Sequence, residues 1–516
     1  MSFLNKNNYE LFNNFCKEKR AITFDEITLE DKPSNVHPND VDLTSKISKN
    51  IILNGCGIMS SAMDTVTEEK LALELARNGG MGVIHRNNTP EEQAKMIKWV
   101  RQKINFGGMI DNPVVYFDNQ RLSDLQNDIV RNGWTFTSFP IIDKKNNKLV
   151  GLITKDDMSF VEDENPLLCE IMRPLSNIIT ANANTTANTA YEIMKTNKIK
   201  KLPIVNDDGT LYGLFIWKDI RGNEKNKNLF SLDGDGHFLV AGAIGVDDFD
   251  GFERAKILIE NGGCKVLVID TSHGACKPVV DIIKKLRENW GDNIDIIAGN
   301  IASYDSAKYL LSQKYIPNAL KVGISIGSIC TTRLITGHGM PQLTAIFQVR
   351  KAIDEIGTNV SIIADGAIRY SGDIVKAIAL GANGVMIGGL FGAAEESPAK
   401  IIIEGGNKYK LIRGMASKSA MEENIGSRNR YLSTAGNDNK LTNNQKKKIV
   451  PEGVEGLVRC NGTVDDIMGN LLGGIKSGFA HSGAKNIEEF RENAEIWLQS
   501  TAGIIEANPH DLKQVS

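Results

Sequence analysis

VLVIDTSHG (266–274), IDIIAGN (294–300), ALKVGIS (319–325), VSIIADGAI (360–368) and GVMIGGLF (384–391) succeed one another at intervals that leave room for about one helix each. Each run is short, apolar and rich in β-branched residues, and each has Gly, Ser, Asp or Asn toward its end, the pattern of a buried strand that stops at a polar loop. Between them, TAIFQVRKAIDEIG (344–357) and SGDIVKAIALG (371–381) carry apolar residues at i, i+3 and i+4, the stripe of a helix lying on a sheet. Strand alternating with helix means parallel strands. Working outward, HFLVAGAIGV (237–246), GMGVIH (80–85) and IILNGCGIMSSAM (51–63) extend the series to eight runs. The expectation is an α/β protein built on a closed (β/α)8 TIM barrel. Such a barrel assembles its active site from loops at the carboxyl ends of its strands, where these runs place their polar residues and glycines.

The series breaks between its second and third members. We read 107–233 as an inserted domain that divides the barrel into 1–106 and 234–516. The insertion contains a repeat: FPIIDKKNNKLVGLITKDDM from Phe139 recurs 63 residues later as LPIVNDDGTLYGLFIWKDI from Leu202. Each copy reads as strand, polar turn, strand, then a helix opened by Asp, so two copies form a pseudo-symmetric pair. The repeat establishes architecture and leaves ligand binding open. Further on, STAGNDNKLTNNQKKK (433–448) has no periodicity and separates SRNRY (427–431) from PEGVEG (451–456). The stretch 415–455 therefore reads as a mobile flap over the barrel mouth.

A chain of 516 residues calls for two or three domains. Its net charge of -3 offers no basic footprint for nucleic acid or membrane binding as a primary role. The opening MSFLNKNNYELFNNF has no apolar core of a signal peptide, and no run approaches the ~18 apolar residues of a membrane span. The reading is a cytoplasmic enzyme. Seven cysteines, an odd number with no C-x-x-C pair, argue against a disulfide framework and a structural zinc site.

One of those cysteines stands out. KVGISIGSICTTR (321–333) leaves a strand through a glycine-containing loop and presents Cys330 beside Thr331, Thr332 and Arg333. A cysteine at an arbitrary position more often packs as a small apolar residue. At the carboxyl end of a barrel strand, near backbone N–H groups and an arginine, the thiolate is favoured and the nucleophile reading gains. Asp365-Gly366 and Gly388-Gly389 close the last two strands, where barrels place a phosphate on backbone N–H groups. A carboxylate beside a glycine loop suits a ribose diol with its 5'-phosphate. Asp270 and Asn300 end two further strands and suit the ribose and amide of a second ligand. His273, a lone loop histidine, reads as a structural hydrogen-bonder.

GSICTTR, SSAMDTVTE (60–68), GGMGVIHRN (79–87), IDTSHG (269–274), ADGAIRYSGDIVKAIALGA (364–382), SRNRY and PEGVEG together resemble the IMP dehydrogenase and GMP reductase superfamily, over nearly the whole chain. The inserted repeat resembles a tandem pair of CBS modules joined by IMRPLSNIIT (171–180), which implies regulatory adenine or guanine nucleotides there. The resemblance implies NAD-dependent oxidation of IMP to XMP. Cys330 would attack C2 of the purine, Arg430 and Tyr431 on the flap would activate water against the resulting thioimidate, and Thr332 and Glu452 would form an alternate proton relay. It implies IMP contacts at Ser61, Met63, Ser328, Asp365, Gly366, Ala367, Gly388, Gly389, Ile412, Met415, Ala416 and Glu452, and NAD contacts at Asp270, Asn300 and Gly323. It also implies a potassium ion on backbone carbonyls of Ser325, Gly327 and Cys330, completed by Glu506, Ala507 and Asn508 of a neighbouring subunit, hence a homotetramer or an octamer.

The chain departs from the family pattern at several of these positions. Ser325 and Ile326 interrupt a glycine-rich cysteine loop, where a Cβ opposes glycine-like backbone angles. Ala367 and Ala416 replace glycines, and Ile412 lacks the hydroxyl that helps hold the phosphate. Two rivals remain open: a GMP reductase, which deaminates GMP with NADPH, and a non-catalytic nucleotide sensor. Arg430 and Tyr431 in a long flap and the PEGVEG motif fit the dehydrogenase better.

Overall fold

The computed structural model describes residues 4–48, 50–103, 109–110, 113–132, 137–159, 161, 165–217, 220, 229–430, 442, 446 and 449–509. Eight parallel strands form one sheet: β1 (Ile58–Ser60), β2 (Gly82–Ile84), β3 (Val240–Ile244), β4 (Val266–Asp270), β5 (Asp295–Ile301), β6 (Ala319–Val322), β7 (Ser361–Asp365) and β8 (Gly384–Ile387). Sequential strands pair from β2 to β8, and β8 pairs with β1. A parallel bridge between Met59 and Met81 joins β1 to β2 and closes the (β/α)8 barrel.

Alternation along the strands fills the interior. Met59, Met81, Val83, Val268 and Met386 interlock with the smaller Ala241, Ala243 and Ala319 in one buried cluster, as a packed barrel core requires. Ile47, Ile51 and Leu53 join that cluster from a hairpin, Ser45–Lys46 with Ile52–Leu53. Here the structure differs from the expected strand. The run 51–63 is two elements, a hairpin strand and β1, because Cys56 and Gly57 adopt φ of 57° and 67° and turn the chain between them. The helix Gln342–Ile356 buries Leu343, Ile346, Phe347, Val349 and Ile353 together with much of the rest of its surface and ends at Gly357, whose φ of 76° supplies the left-handed cap.

Contacts divide the chain into Met1–Arg101 with Asn228–Ser516, and Gln102–Lys227. The second boundary precedes the expected one because residues after 228 pack on the barrel: Ser231 N donates to Ala76 O, and Asp233 pairs with Arg101. Within the smaller unit, the repeat forms two sheets of matching order. In one, Phe139–Ile142 pairs antiparallel with Leu149–Ile153 and parallel with Tyr116–Phe117. In the other, Lys201–Val205 pairs antiparallel with Leu211–Ile216 and parallel with Ala181–Asn182. The two hairpins meet at a bridge between Lys148 and Thr210. Among the described residues no helix is long and apolar enough to cross a membrane.

Candidate active site

A cavity of about 860 Å³ opens at the carboxyl ends of the barrel strands. Nearly every site residue read from the sequence lines it. Ser61 and Met63 come from the loop after β1, Asp270 and Asn300 from the ends of β4 and β5, and Gly323, Ser325, Gly327, Ser328, Cys330 and Thr332 from the loop after β6. Asp365, Gly366 and Ala367 follow β7, Gly388 and Gly389 follow β8, and Ile412, Met415, Ala416, Arg430 and Glu452 come from the excursion beyond β8. Tyr431 lies outside the described residues, as does most of 433–448. Glu506, Ala507 and Asn508, which the sequence reading gives to a neighbour's cation site, are exposed here and do not line this cavity.

Cys330 is half-buried on its loop, and its Sγ lies 3.3 Å from Thr332 Oγ1 and 3.9 Å from Ser325 Oγ. Ser325 Oγ also accepts a hydrogen bond from Arg333 N, which pins the loop to the short helix Thr332–Thr336. The expected conflict at Ser325 is real but tolerated: its φ is 61°, in the left-handed region, and Ala367 sits at 63°. Each keeps a conformation that favours glycine, at a strain of about 1–2 kcal/mol. Gly323 has no such latitude, since a Cβ there would stand 2.1 Å from Asp365 O. Around the turn after β8, Gly388 faces Ser61 and Met63, and Gly389 faces Ser328 Oγ. Those loops therefore converge on one spot, and glycine turns of this kind can present backbone N–H groups to a phosphate.

The floor of the cavity is ionic. Lys321 Nζ donates to Asp270 Oδ1 at 2.9 Å, to Asp365 Oδ2 at 3.1 Å and to Asn300 Oδ1. Asn300 Nδ2 in turn donates to Asp365 Oδ2 at 2.8 Å and Gly323 O at 2.7 Å. Burial pushes the Asp270 carboxyl up, but Arg430, Lys321 and Arg86 outweigh it and hold the group down at about 2. Arg86, from the loop after β2, donates to Asp270 O at 3.3 Å and pairs with buried Asp250, which also pairs with Arg254.

The flap is docked against this floor. Arg430 forms an ion pair with Asp270, and Ser272 donates to the Arg430 carbonyl from both N (3.3 Å) and Oγ (2.9 Å). At its base the flap springs from an antiparallel pair, Asn407–Arg413 with Glu455–Arg459. Its returning end is stitched to the cysteine loop: Thr331 N donates to Glu452 O (2.8 Å), Val454 N to Ile329 O (3.0 Å), and Cys330 bridges Gly453. Flap position and cysteine position are thus one mechanical problem.

Sequence reasoning missed several residues that hold this arrangement. Lys321 interrupts the apolar run ALKV, and that charge in a buried strand was the signal. Asp64 accepts from Arg413 Nε (3.3 Å) and Nη2 (2.8 Å) and from Asn87 Nδ2 (2.9 Å). Asn87 reaches Ser427 on the flap helix Ile425–Arg430. Arg428, fully buried, donates to Met421 O at 2.6 Å. Asp64 and Asn87 lie inside motifs quoted above, but nothing in their spacing says that they meet. His273 is exposed and accepts at its carbonyl from the Cys276 thiol.

Residues 21–510 match the family model described as the IMP dehydrogenase / GMP reductase domain. The chain is 40% identical over 496 residues to the inosine-5'-monophosphate dehydrogenase of Halalkalibacterium halodurans, covering 96% of this chain and 97% of that one. It is 41% identical over 496 residues to the enzyme of the same name from Streptococcus pyogenes, covering 96% of each. Among solved structures it resembles GMP reductase from Trypanosoma brucei in complex with guanosine 5'-monophosphate, with TM-score 0.75, 32% identity and coverage of 96% and 98%.

Proposed function

The chain belongs to the IMP dehydrogenase / GMP reductase family, and we propose that it oxidises IMP to XMP with NAD, in guanine nucleotide biosynthesis. The observation that carries the dehydrogenase reading is the docked arginine. Arg430 occupies Asp270 and Ser272, the wall to which the dinucleotide ribose is assigned, within the same cavity as Cys330. An arginine that trades places with a dinucleotide suits a reaction in two halves, a redox step and then a hydrolysis.

In the first half, Cys330 Sγ adds as thiolate to C2 of IMP, whose 5'-phosphate rests on the Ser328, Gly366 and Gly388-Gly389 turns and whose ribose donates to Asp365. Bound NAD supplies the acceptor for the C2 hydride. Asp270, held ionised far below neutral pH, accepts from the dinucleotide ribose, and Asn300 and Gly323 line the same side. The purine stays bonded to Cys330 as a thioimidate. In the second half, Arg430 returns to the vacated wall with Tyr431 beside it on the flap. There, once it has given up its own proton to solvent, its neutral form takes a proton from the water that attacks C2, and the C–S bond breaks to release XMP and the thiolate. Thr332 and Glu452 offer the alternate proton path.

A potassium ion fits the cysteine loop. Ser325 keeps the left-handed φ that a glycine would take, so its Cβ does not force the loop out of a glycine-like turn; the carbonyls of Ser325, Gly327 and Cys330 would hold the ion, and carbonyl oxygens are the donors a hard monovalent cation requires. The ion would hold the loop, with Glu506, Ala507 and Asn508 of a neighbouring subunit closing the site in a cytoplasmic homotetramer or octamer. The matched sheets of the inserted unit support a CBS pair that takes regulatory adenine or guanine nucleotides.

The similarity to a GMP reductase structure favours a second reading, NADPH-dependent deamination of GMP. The deciding assay follows NADH appearance with IMP, NAD and potassium, beside NADPH consumption with GMP. NADH formation that disappears in Cys330→Ala supports the dehydrogenase. NADPH loss with GMP makes the protein a reductase, and silence in both supports a nucleotide sensor.

A further inference from the structure

Lys321 is buried in β6, with only 2% of its surface exposed, and all three of its N–H bonds are committed. They reach Asp270 on β4, Asn300 on β5 and Asp365 on β7, so none is left for a ligand. A buried ammonium is costly unless fully paired, and here its pairing joins three strands at the cavity floor. The two carboxylate oxygens touch the same nitrogen at 2.9 and 3.1 Å, which puts them within about 6 Å of each other. At that separation in a poorly hydrated site, two carboxylates without a shared cation repel until one takes up a proton.

The surrounding charges leave this task to Lys321. Asp270 faces Lys321, Arg430 and Arg86; Asp365 faces Lys321 and the Asn300 amide. Arg430 belongs to the flap and, under the mechanism proposed above, leaves Asp270 when a dinucleotide takes its place. Arg86 directs its guanidinium to Asp250 and reaches only the backbone carbonyl of Asp270. With the flap lifted, Lys321 is the remaining direct counter-ion of both carboxylates. It also sets the Asn300 amide: an ammonium on Oδ1 turns Nδ2 toward Asp365 and Gly323 O.

We propose that Lys321 is a positioning residue that makes the carboxylate facing the IMP ribose, Asp365, and the carboxylate facing the dinucleotide ribose, Asp270, a single electrostatic unit. Each site is then built correctly only while the other carboxylate shares the same ammonium. The inference rests on the ribose assignments proposed above.

The test is isothermal titration calorimetry of the full chain, with NAD into IMP-free protein and IMP into NAD-free protein, between about pH 5.5 and about pH 7.5. The proteins are wild type, Lys321→Met and the double variant Lys321→Met/Asp365→Asn. Wild type should bind both ligands with affinities that are flat in pH. Lys321→Met should weaken both by about tenfold or more, and its NAD affinity should fall further toward acid as Asp270 protonates. The double variant should lose IMP affinity and regain part of its NAD affinity toward acid, because the like charge has gone while burial still pushes the Asp270 carboxyl up. If Lys321→Met alone fails to fold, as loss of one partner of a buried pair can cause, the double variant should recover the fold. A Lys321→Met protein that weakens one ligand only, or keeps a flat NAD profile, overturns the link alone. Failure of both variants to fold overturns it too. A wild-type protein that binds neither nucleotide overturns the site assignments and the link together.

Discussion

Asp64 ties the base of the flap to the barrel away from Cys330, and its replacement by alanine separates flap docking from chemistry. Its carboxylate receives Arg413 Nε and Nη2 and Asn87 Nδ2. Arg413 ends the strand that leads into Met415 and Ala416, and Asn87 holds Ser427 on the flap helix. Burial works against the Arg413 charge, but Asp64 and Glu423 outweigh it and raise the arginine above its ordinary range. Hydrogen bonds to charged groups contribute about 1.5–3 kcal/mol each. Arg413 retains some solvent and its 2.7 Å contact to Glu423, so Asp64→Ala should cost about 2–3 kcal/mol of docking rather than the full sum. At about 1.4 kcal/mol per factor of ten, that is roughly a 30- to 140-fold shift toward the undocked flap. Hydrogen exchange reads it directly. The amides of Met421 and Arg428, bonded to Ser417 O and Asn424 O, should exchange faster by that factor, while barrel amides such as Val268 keep their protection. Under the proposed mechanism, the first burst of NADH survives and steady turnover drops, because only hydrolysis needs the docked flap. Unchanged exchange at Met421 and Arg428, or equal loss of protection in the barrel, would refute the reasoning.

Ser325 carries strain and a hydrogen bond at once, and two variants separate them. Both lose the acceptor for Arg333 N, but Ser325→Gly also relieves the left-handed φ, so it should exceed Ser325→Ala in stability by about 1 kcal/mol, measured by denaturant melts. Cys56 and Cys264 are buried, with thiols pushed by burial up to about 12 and about 11; iodoacetamide should leave both untouched until the protein unfolds, while Cys330 reacts and is protected by IMP. Asp270, held at about 2 against an ordinary 3.8, stabilises the fold fully above about pH 4, and that contribution is lost as pH falls toward 2. The melting temperature of wild type should therefore drop more steeply over that window than that of Asp270→Asn, and parallel curves would count against the ion pair.

The barrel was legible because its signal is local and repeated. Each strand is a short apolar run closed by polar residues or glycine, each helix keeps an apolar stripe, and eight such units admit few topologies. Site residues at strand ends were legible for the same reason: Asp270, Asn300, Cys330, Asp365 and Gly388 fall where a barrel puts its mouth. The inserted repeat announced itself by self-similarity. The division of 51–63 into hairpin and β1 was not legible, since its turn depends on left-handed backbone at Cys56 and Gly57 rather than on composition. Nor could spacing say that Ser325 would keep a glycine's conformation, because its hydrogen bond from Arg333 N forms only once the loop has turned back on itself.

What the residues alone established is therefore the periodic part: barrel, insertion, repeat and the strand ends that line the cavity. What only folding established is the wiring between those positions. Lys321 joins carboxylates 51 and 44 residues away, Asp64 meets Arg413 across 349 residues, and Arg430 meets Asp270 across 160. Apolar periodicity is local and repeats along the chain, so it can be read in order. A charge pair is specified by a single residue at each end, and its partner is chosen by the geometry of the closed barrel, where burial makes an unpaired charge too costly to leave.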